Sequence, residues 1–125
     1  MERSAKCSCG SLSAIASGPP LKVSACHCKS CQRRTGSAFG VAVFFNAAEV
    51  AYAGESSTYV RVGDSGKDLT FYFCPSCGST VYWMPGFRPG LVAIALGCFD
   101  DVTDLAPSQS VYNDAAHSWV SLRLE

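Results

Sequence analysis

Apolar residues recur along the chain at short intervals, in the alternating pattern of half-buried β-strands. A polar residue separates Leu12 from Ala14, and another separates Leu21 from Val23. Further runs rich in Val, Tyr, Phe, Thr and Ile, which suit a pleated surface, follow at 39–45, 58–62, 69–73, 80–83 and 91–96. The pattern predicts a mainly β fold of about seven or eight short antiparallel strands.

Little of the chain suits a helix. Eleven Gly and six Pro residues interrupt it and leave no window for a long amphipathic helix. We expect one short helix near 30–34, after Cys28, and a short turn after Asn46. No internal repeat or low-complexity stretch divides the 125 residues, so we expect one domain over residues 1–125.

Charge and hydropathy argue against several classes of function. Ten basic and ten acidic residues give a formal net charge of zero, without the excess of positive charge typical of proteins that bind nucleic acid or anionic lipid. The longest apolar runs are far below the roughly 20 residues of a membrane helix, and the N-terminus lacks a signal peptide's apolar stretch. We therefore expect a cytoplasmic protein without nucleic-acid or membrane partners.

Eight cysteines are the most unusual feature of the composition. In a reducing compartment, clustered cysteines more often bind metal or do redox chemistry than form disulfides. Seven of them fall in three closely spaced groups, and Cys98 stands alone. The groups are Cys7-Ser8-Cys9-Gly10, Cys26-His27-Cys28-Lys29-Ser30-Cys31 and Cys74-Pro75-Ser76-Cys77-Gly78.

The first and third groups supply two thiolates each. In a C-x-C on an extended chain, residues i and i+2 face the same side. A C-x-x-C turn points both thiolates at one ion, and the following Gly permits the close backbone approach. Because structural zinc is almost always four-coordinate, we expect Cys7, Cys9, Cys74 and Cys77 to form one closed zinc site.

The middle group offers the thiolates of Cys26, Cys28 and Cys31 to a second zinc ion. Three protein ligands leave one coordination position open, which is typical of catalytic zinc. The position could instead be closed, which would make the site structural. Candidates to close it are Cys98, in an apolar predicted strand; His27, expected to point away from the metal; and His117 near the C-terminus.

Two other interpretations of the cysteines fit less well. Disulfides within the middle group would close very small loops and would not explain the Gly that follows C-x-C and C-x-x-C. A nucleic-acid zinc ribbon has similar knuckles but usually carries a basic surface.

Taken together, these motifs resemble the glutathione-dependent formaldehyde-activating enzyme family, which includes centromere protein V. The resemblance extends from Cys7 to Trp119 and departs from the family pattern at Cys98 and Ser110. Its other motifs are Gln32-Arg33-Arg34-Thr35-Gly36-Ser37-Ala38-Phe39 after the second group, Phe73 before the third group and Ser79 after it, and Gly97-Cys98-Phe99-Asp100.

The resemblance implies a zinc-bearing β-tent with two zinc ions per chain. The structural zinc would be held by Cys7, Cys9, Cys74 and Cys77, and the second by the three cysteines of the middle group. It also implies a carbon–sulfur lyase-type activity, in which a thiol adds to formaldehyde to give S-hydroxymethylglutathione. The substrate is then glutathione or a similar small thiol or peptide.

Cations and a hydroxyl follow the second group closely. Arg33 and Arg34 would offset the negative charge of three thiolates or bind the carboxylates of a glutathione-like peptide. Ser37 offers a hydroxyl beside the site. We interpret these three residues as candidate substrate contacts and Cys26, Cys28 and Cys31 as the catalytic centre. Because thiols add to formaldehyde without a catalyst, a non-catalytic zinc-binding carrier remains the alternative to an enzyme.

Overall fold

The computed structural model describes residues 1–125, folded into ten strands, one α-helix and three short 3₁₀ turns. The strands are β1 (Arg3–Lys6), β2 (Ser13–Ala16), β3 (Lys22–Cys26), β4 (Gly40–Asn46), β5 (Val50–Ala53), β6 (Ser57–Val62), β7 (Asp68–Phe73), β8 (Thr80–Pro85), β9 (Leu91–Ala95) and β10 (Gln109–Val111). The helix is α1 (Lys29–Thr35), and the 3₁₀ turns are Ala47–Glu49, Leu96–Cys98 and Asn113–Ala115. The mainly β prediction is confirmed.

The strands form two sheets. A three-stranded antiparallel sheet has the order β1-β2-β5, and a seven-stranded sheet has the order β10-β3-β4-β9-β8-β7-β6. All neighbours in the larger sheet are antiparallel except β10, which pairs parallel to β3 and so departs from the expected antiparallel arrangement. The edges of the larger sheet are therefore β10, near the C-terminus, and β6, in the middle of the chain.

The seven predicted runs correspond to β2, β3, β4, β6, β7, β8 and β9, but the predicted number of strands was too low. The missed strands show no alternating pattern, because β1 and β10 contain a single apolar residue each and β5 contains no polar one. The short helix and the turn after Asn46 are confirmed. Cys98 was expected in a strand, which was wrong: β9 ends at Ala95, and Cys98 ends a 3₁₀ turn.

The main core lies between the two sheets. Val43 and Phe45 on β4 and Ile94 on β9 are fully buried there. They belong to the same buried cluster as Ala14 on β2 and Leu12, which directly precedes β2. The ring of Phe45 also packs on Phe99, with 6.0 Å between centroids. The alternation along each strand thus buries one face of the larger sheet under the smaller one.

The opposite face of the larger sheet carries a second apolar cluster. Its buried members are Ala42, Leu69, Phe71, Trp83 and Ala93, with Phe44 and Ala95 packed against them. These side chains share a face because the register places Phe71 opposite Trp83, Trp83 opposite Ala93, and Ala93 opposite Phe44. Apolar residues therefore line both faces of this sheet.

The two edges of the larger sheet come together through their loops. The hydroxyl of Tyr112, just after β10, donates a 2.8 Å hydrogen bond to the carboxylate of Asp64, just after β6. Tyr112 has a φ of 55°, in the left-handed region, which is unusual for a residue other than glycine. This contact joins the ends of a curved sheet across its second apolar face.

The structure contains no helix with the length and apolar character needed to span a membrane.

We expect Phe45→Ala to lower the free energy of unfolding by about 3–5 kcal/mol, because it opens a cavity in a fully buried position. Tyr59→Ala is the control: Tyr59 lies on the edge strand β6 and is 61% exposed, so its loss should cost no more than about 0.5 kcal/mol. Urea unfolding with zinc present measures both. Equal destabilisation would contradict the location of the core.

Candidate metal centre

One cluster joins the first and third cysteine groups. The sulfurs of Cys7, Cys9, Cys74 and Cys77 all lie within 4.8 Å of one another. The Cys7–Cys9 and Cys9–Cys74 sulfur distances are both 3.7 Å. A tetrahedral zinc with bonds of about 2.3 Å separates its sulfurs by about 3.8 Å, whereas a disulfide would bring two sulfurs to about 2.05 Å. All eight cysteines are free, and this cluster fits a tetrahedral zinc ion.

Two glycines make the turns that present these thiols. Gly10 and Gly78 have φ values of 83° and 81°, and their N–H groups donate to the carbonyls of Cys7 and Cys74 at 3.1 and 2.8 Å. Backbone N–H groups also approach the sulfurs. The N–H of Leu12 donates to the Cys7 sulfur at 3.2 Å, and the N–H of Ser76 donates to the Cys74 sulfur at 3.4 Å. These contacts stabilise thiolates.

Hydroxyl groups complete the surroundings of this cluster. The side chain of Ser79, followed by backbone N–H groups, lowers the pKa of Cys77 to about 5. The hydroxyls of Ser8 and Ser79 are 2.9 Å apart, and the Ser11 hydroxyl lies 2.7 Å from the Cys9 sulfur. The N-terminal segment is thereby joined to the turn between β7 and β8.

The second cluster lies where β3 passes into α1. Cys26 ends β3, Cys28 is the N-cap of the helix, and Cys31 is in its first turn. The Cys28 sulfur accepts a 3.3 Å hydrogen bond from the Cys31 N–H, so one side chain both caps the helix and faces its neighbour. The three sulfurs lie within 4.8 Å of one another and could hold a metal ion.

The thiols of the second cluster differ strongly in acidity. The Cys26 thiol donates a hydrogen bond that lowers the pKa of Cys31 to about 5, and Cys28 and Arg34 act in the same direction. The same interaction, together with burial, raises the pKa of Cys26. Cys31 is therefore the more acidic thiol of this pair. Metal binding requires deprotonated sulfur, which Cys31 provides more readily than Cys26.

None of the three residues considered as a fourth ligand joins this cluster. The Cys98 thiol points to the Thr80 carbonyl at 3.6 Å, and burial raises its pKa. The Nε2 atom of His117 lies 3.0 Å from the side-chain oxygen of Gln32.

His27 points away from the cluster, as its place between two candidate ligands predicted. Its Nε2 atom lies 2.9 Å from the Ser110 hydroxyl, and its Nδ1 atom is buried without a partner. Its ring packs against Phe39, with 5.3 Å between centroids. Ser110, which departs from the family pattern, thus contacts His27 and also the side chain of Asn113.

A cleft of about 820 Å³ extends from the second cluster along the second apolar face of the larger sheet. Arg34 lies inside it, with its guanidinium carbon 4.3 Å from the centre of a Trp83 ring. Gly40 leaves room for Arg34, because a Cβ at that position would lie 2.7 Å from the guanidinium nitrogen Nη2. The cations lining the cleft are Lys22, Lys29, Arg34, Arg61 and Arg88.

The structure separates the three candidate substrate contacts. Arg34 lines the cleft and also a second cavity of about 500 Å³, which Cys77 and Cys98 line as well. Arg33 and Ser37 are exposed and line neither cavity. The role of all three in binding a substrate stays a prediction.

Sequence reasoning missed most of the cleft. Arg61 lies on β6 and Arg88 in the turn after β8, far from the cysteine motifs along the chain. Phe44 was predicted in a strand, but nothing in the sequence showed that its side chain lies on the face of the sheet that carries the cleft. Only the strand register, which pairs Phe44 with Lys22 and Ala93, shows this.

The fold and the two clusters define a mainly β protein with two cysteine sites, each of which could hold a metal ion. The chain belongs to the glutathione-dependent formaldehyde-activating enzyme family, whose sequence profile matches residues 2–115.

Two further comparisons are informative. No curated protein sequence matches the chain. The fold is similar to that in a crystal structure of a Rhodobacter sphaeroides protein, a Northeast Structural Genomics target, with a TM-score of 0.64. The two sequences are 16% identical, and the match covers 86% of this chain and 99% of the other. At this identity the likeness shows the fold alone.

We expect Cys74→Ser and Cys28→Ser to differ in their effect on folding. Cys74→Ser removes a fully buried candidate ligand from a cluster that joins distant segments, so it should cost several kcal/mol of unfolding free energy. Cys28→Ser alters a local cluster, and serine preserves the N-cap. Metal content and thermal unfolding of both variants test this expectation. An equal loss of melting temperature would contradict it.

We also expect the thiols of the second cluster to react in a fixed order. After its metal is removed with a mild chelator, brief alkylation with iodoacetamide at pH 7 should modify Cys31 before Cys26, because the thiolate is the nucleophile. Cys98 serves as an internal comparison, since its raised pKa predicts slow reaction. Mass spectrometry of the digested protein gives the order of modification. Earlier modification of Cys26 would contradict the conclusion that Cys31 is the more acidic thiol.

Proposed function

We propose that the protein is a zinc-dependent enzyme of carbon–sulfur bond chemistry that acts on glutathione, or a similar thiol, and formaldehyde or another small aldehyde. The observation that carries the proposal is the second cluster. It gathers three sulfurs without a fourth ligand at one end of a cleft lined by cations. The family to which the chain belongs is named for the same reactants.

The two cysteine clusters would have different roles. Cys7, Cys9, Cys74 and Cys77 would hold a structural zinc ion with all four positions filled, and Cys26, Cys28 and Cys31 would hold a second ion with a position left for a reactant. When bound, that second zinc would lower the pKa of a thiol or polarise an aldehyde carbonyl. Three thiolates give the occupied centre a net charge of −1, which favours reversible exchange at the remaining position.

Unpaired cations support a dicarboxylate peptide as the thiol substrate. The two ion pairs of the chain are Arg3–Asp104 and Lys6–Asp100, so none of the five cations of the cleft has a carboxylate partner. Among these cations, Arg34 contributes to the lowered pKa of Cys31. Arg34 would bind a substrate carboxylate near the reacting sulfur, and Arg61 or Arg88 would bind a second one.

The reaction conserves atoms and electrons without a further reactant. The thiol sulfur forms a bond to the aldehyde carbon, the carbonyl π bond breaks, and the thiol proton ends on the oxygen. The cleft residues would orient the thiol for this addition and limit the access of water. We place this activity in the cytoplasm, in keeping with eight free cysteines, and in one domain over residues 1–125.

We expect zinc-loaded protein at micromolar concentration to accelerate the equilibration of glutathione with formaldehyde, followed by NMR exchange. Cys28→Ser should reduce that acceleration at least about 100-fold if the cluster holds the reacting centre. Arg123→Gln, a change at an exposed residue outside both cavities, is the matched control for loss of a charge. No acceleration by fully zinc-loaded protein would reject the enzyme and leave a carrier.

Two variants test Arg34, one that removes its charge and one that only displaces its guanidinium. Arg34→Gln should raise KM for glutathione about tenfold, the loss expected for one charge-assisted hydrogen bond. Gly40→Ala should act in the same direction, because its Cβ displaces the guanidinium while the charge stays. Arg33→Gln tests the sequence-based prediction for its neighbour. A larger effect from Arg33 than from Arg34 would contradict the cleft as the binding site.

A further inference from the structure

The cleft beside the second cluster is more apolar than glutathione and a one-carbon aldehyde, the two reactants of the proposed function, require. Its volume of about 820 Å³ lies in the range of about 300–1,000 Å³ typical of pockets that enclose whole drug-sized ligands. Formaldehyde offers no apolar surface to bury, and glutathione, which would share the cleft, is a polar dicarboxylate peptide. The composition of the cleft therefore points to a reactant with an additional apolar part.

The apolar part of the cleft is continuous with the candidate reaction centre. Cys26 and Lys22 are the two ends of β3, about 13 Å apart at 3.3 Å per residue. Beside Lys22, the register aligns Phe44, Ala93, Trp83 and Phe71 in one row across four strands. A ligand with its sulfur at the cysteines can thus extend over an aromatic row.

Two arginine side chains pack on this aromatic row and leave part of its surface accessible. The guanidinium of Arg34 lies over Trp83, and that of Arg61 lies 5.5 Å from the centre of the Phe71 ring. Trp83 and Phe71 are buried, but Phe44 remains partly accessible and Phe87, at the rim, is 47% exposed. The cleft therefore presents both cationic groups and accessible apolar surface, which suits a ligand that is both anionic and apolar.

We infer that the aldehyde partner, or the group it becomes on the thiol, carries an apolar or aromatic substituent that packs on Phe44. This inference rests on the proposed function, because it assumes that a thiol peptide such as glutathione binds at the cysteines. The bond changes are the same as in the addition of a thiol to formaldehyde. Sulfur bonds to the carbonyl carbon, the carbonyl π bond breaks, and the thiol proton moves to the carbonyl oxygen. The difference lies in the substituent on that carbon, and Phe44 is the specificity-determining residue.

Glutathione thioethers test the inference by binding alone. Trp119→Phe leaves Trp83, in the cleft, as the single tryptophan and a fluorescence reporter. We expect S-hexylglutathione and S-octylglutathione, whose chains are long enough to extend toward Phe44, to bind zinc-loaded protein at least about tenfold more tightly than S-methylglutathione, the gain from burying about two further methylene groups. Equal affinity of the three ligands would overturn the inference while leaving glutathione binding intact.

Variants identify the surface that provides the gain. Phe44→Ala should reduce the preference for S-hexylglutathione to about threefold or less, and Phe44→Leu, which is less disruptive to folding, should retain most of it. Tyr59→Ala is the matched control: by register its side chain shares the sheet face, but it does not line the cleft. An unchanged preference in Phe44→Ala would overturn the inference. No binding of any glutathione derivative would reject the proposed function itself.

Discussion

The meeting of four cysteine sulfurs is the constraint on which the rest of the structure depends. Cys9 and Cys74 are separated by 65 residues, yet their sulfurs are 3.7 Å apart. Closing a loop of that length costs chain entropy, and a small domain with one seven-residue helix has few local contacts to offset it. A metal ion shared by these thiolates would stabilise the folded chain only, and it would fix the smaller sheet against the turn between β7 and β8.

This attachment also determines which face of the larger sheet is available for chemistry. The smaller sheet covers the face that carries Val43, Phe45 and Ile94, and so the opposite face is left to form the cleft. The formal net charge of zero does not reveal the local excess of positive charge in this cleft. Five cations and two acidic residues line it, while other charges are spread over the remaining surface. An overall balance of charge therefore argues against nucleic-acid binding without excluding a local anion site.

The sequence allowed the ligand groups and most strands to be predicted, since both depend on local spacing. C-x-C and C-x-x-C followed by glycine specify turns, and Gly10 and Gly78 indeed have positive φ. Strands with clear alternation were predictable, whereas β10 has three residues and is held by its parallel pairing with β3. The cleft depends on register between distant strands. Nothing near the cysteine motifs indicates that Arg61 and Arg88 lie on the same side of the molecule.

Arg34 connects the two halves of the candidate site. It follows the second cysteine group directly, so it stays close to Cys31, and its guanidinium nevertheless stacks on Trp83 from a strand nearly fifty residues later. That geometry is possible because position 40 has no side chain. A cation held by an aromatic ring loses little freedom when it binds a carboxylate, which makes the site more ordered before the substrate arrives. The sheet thus positions the charge, and the cysteines next to it would provide the chemistry of the proposed reaction.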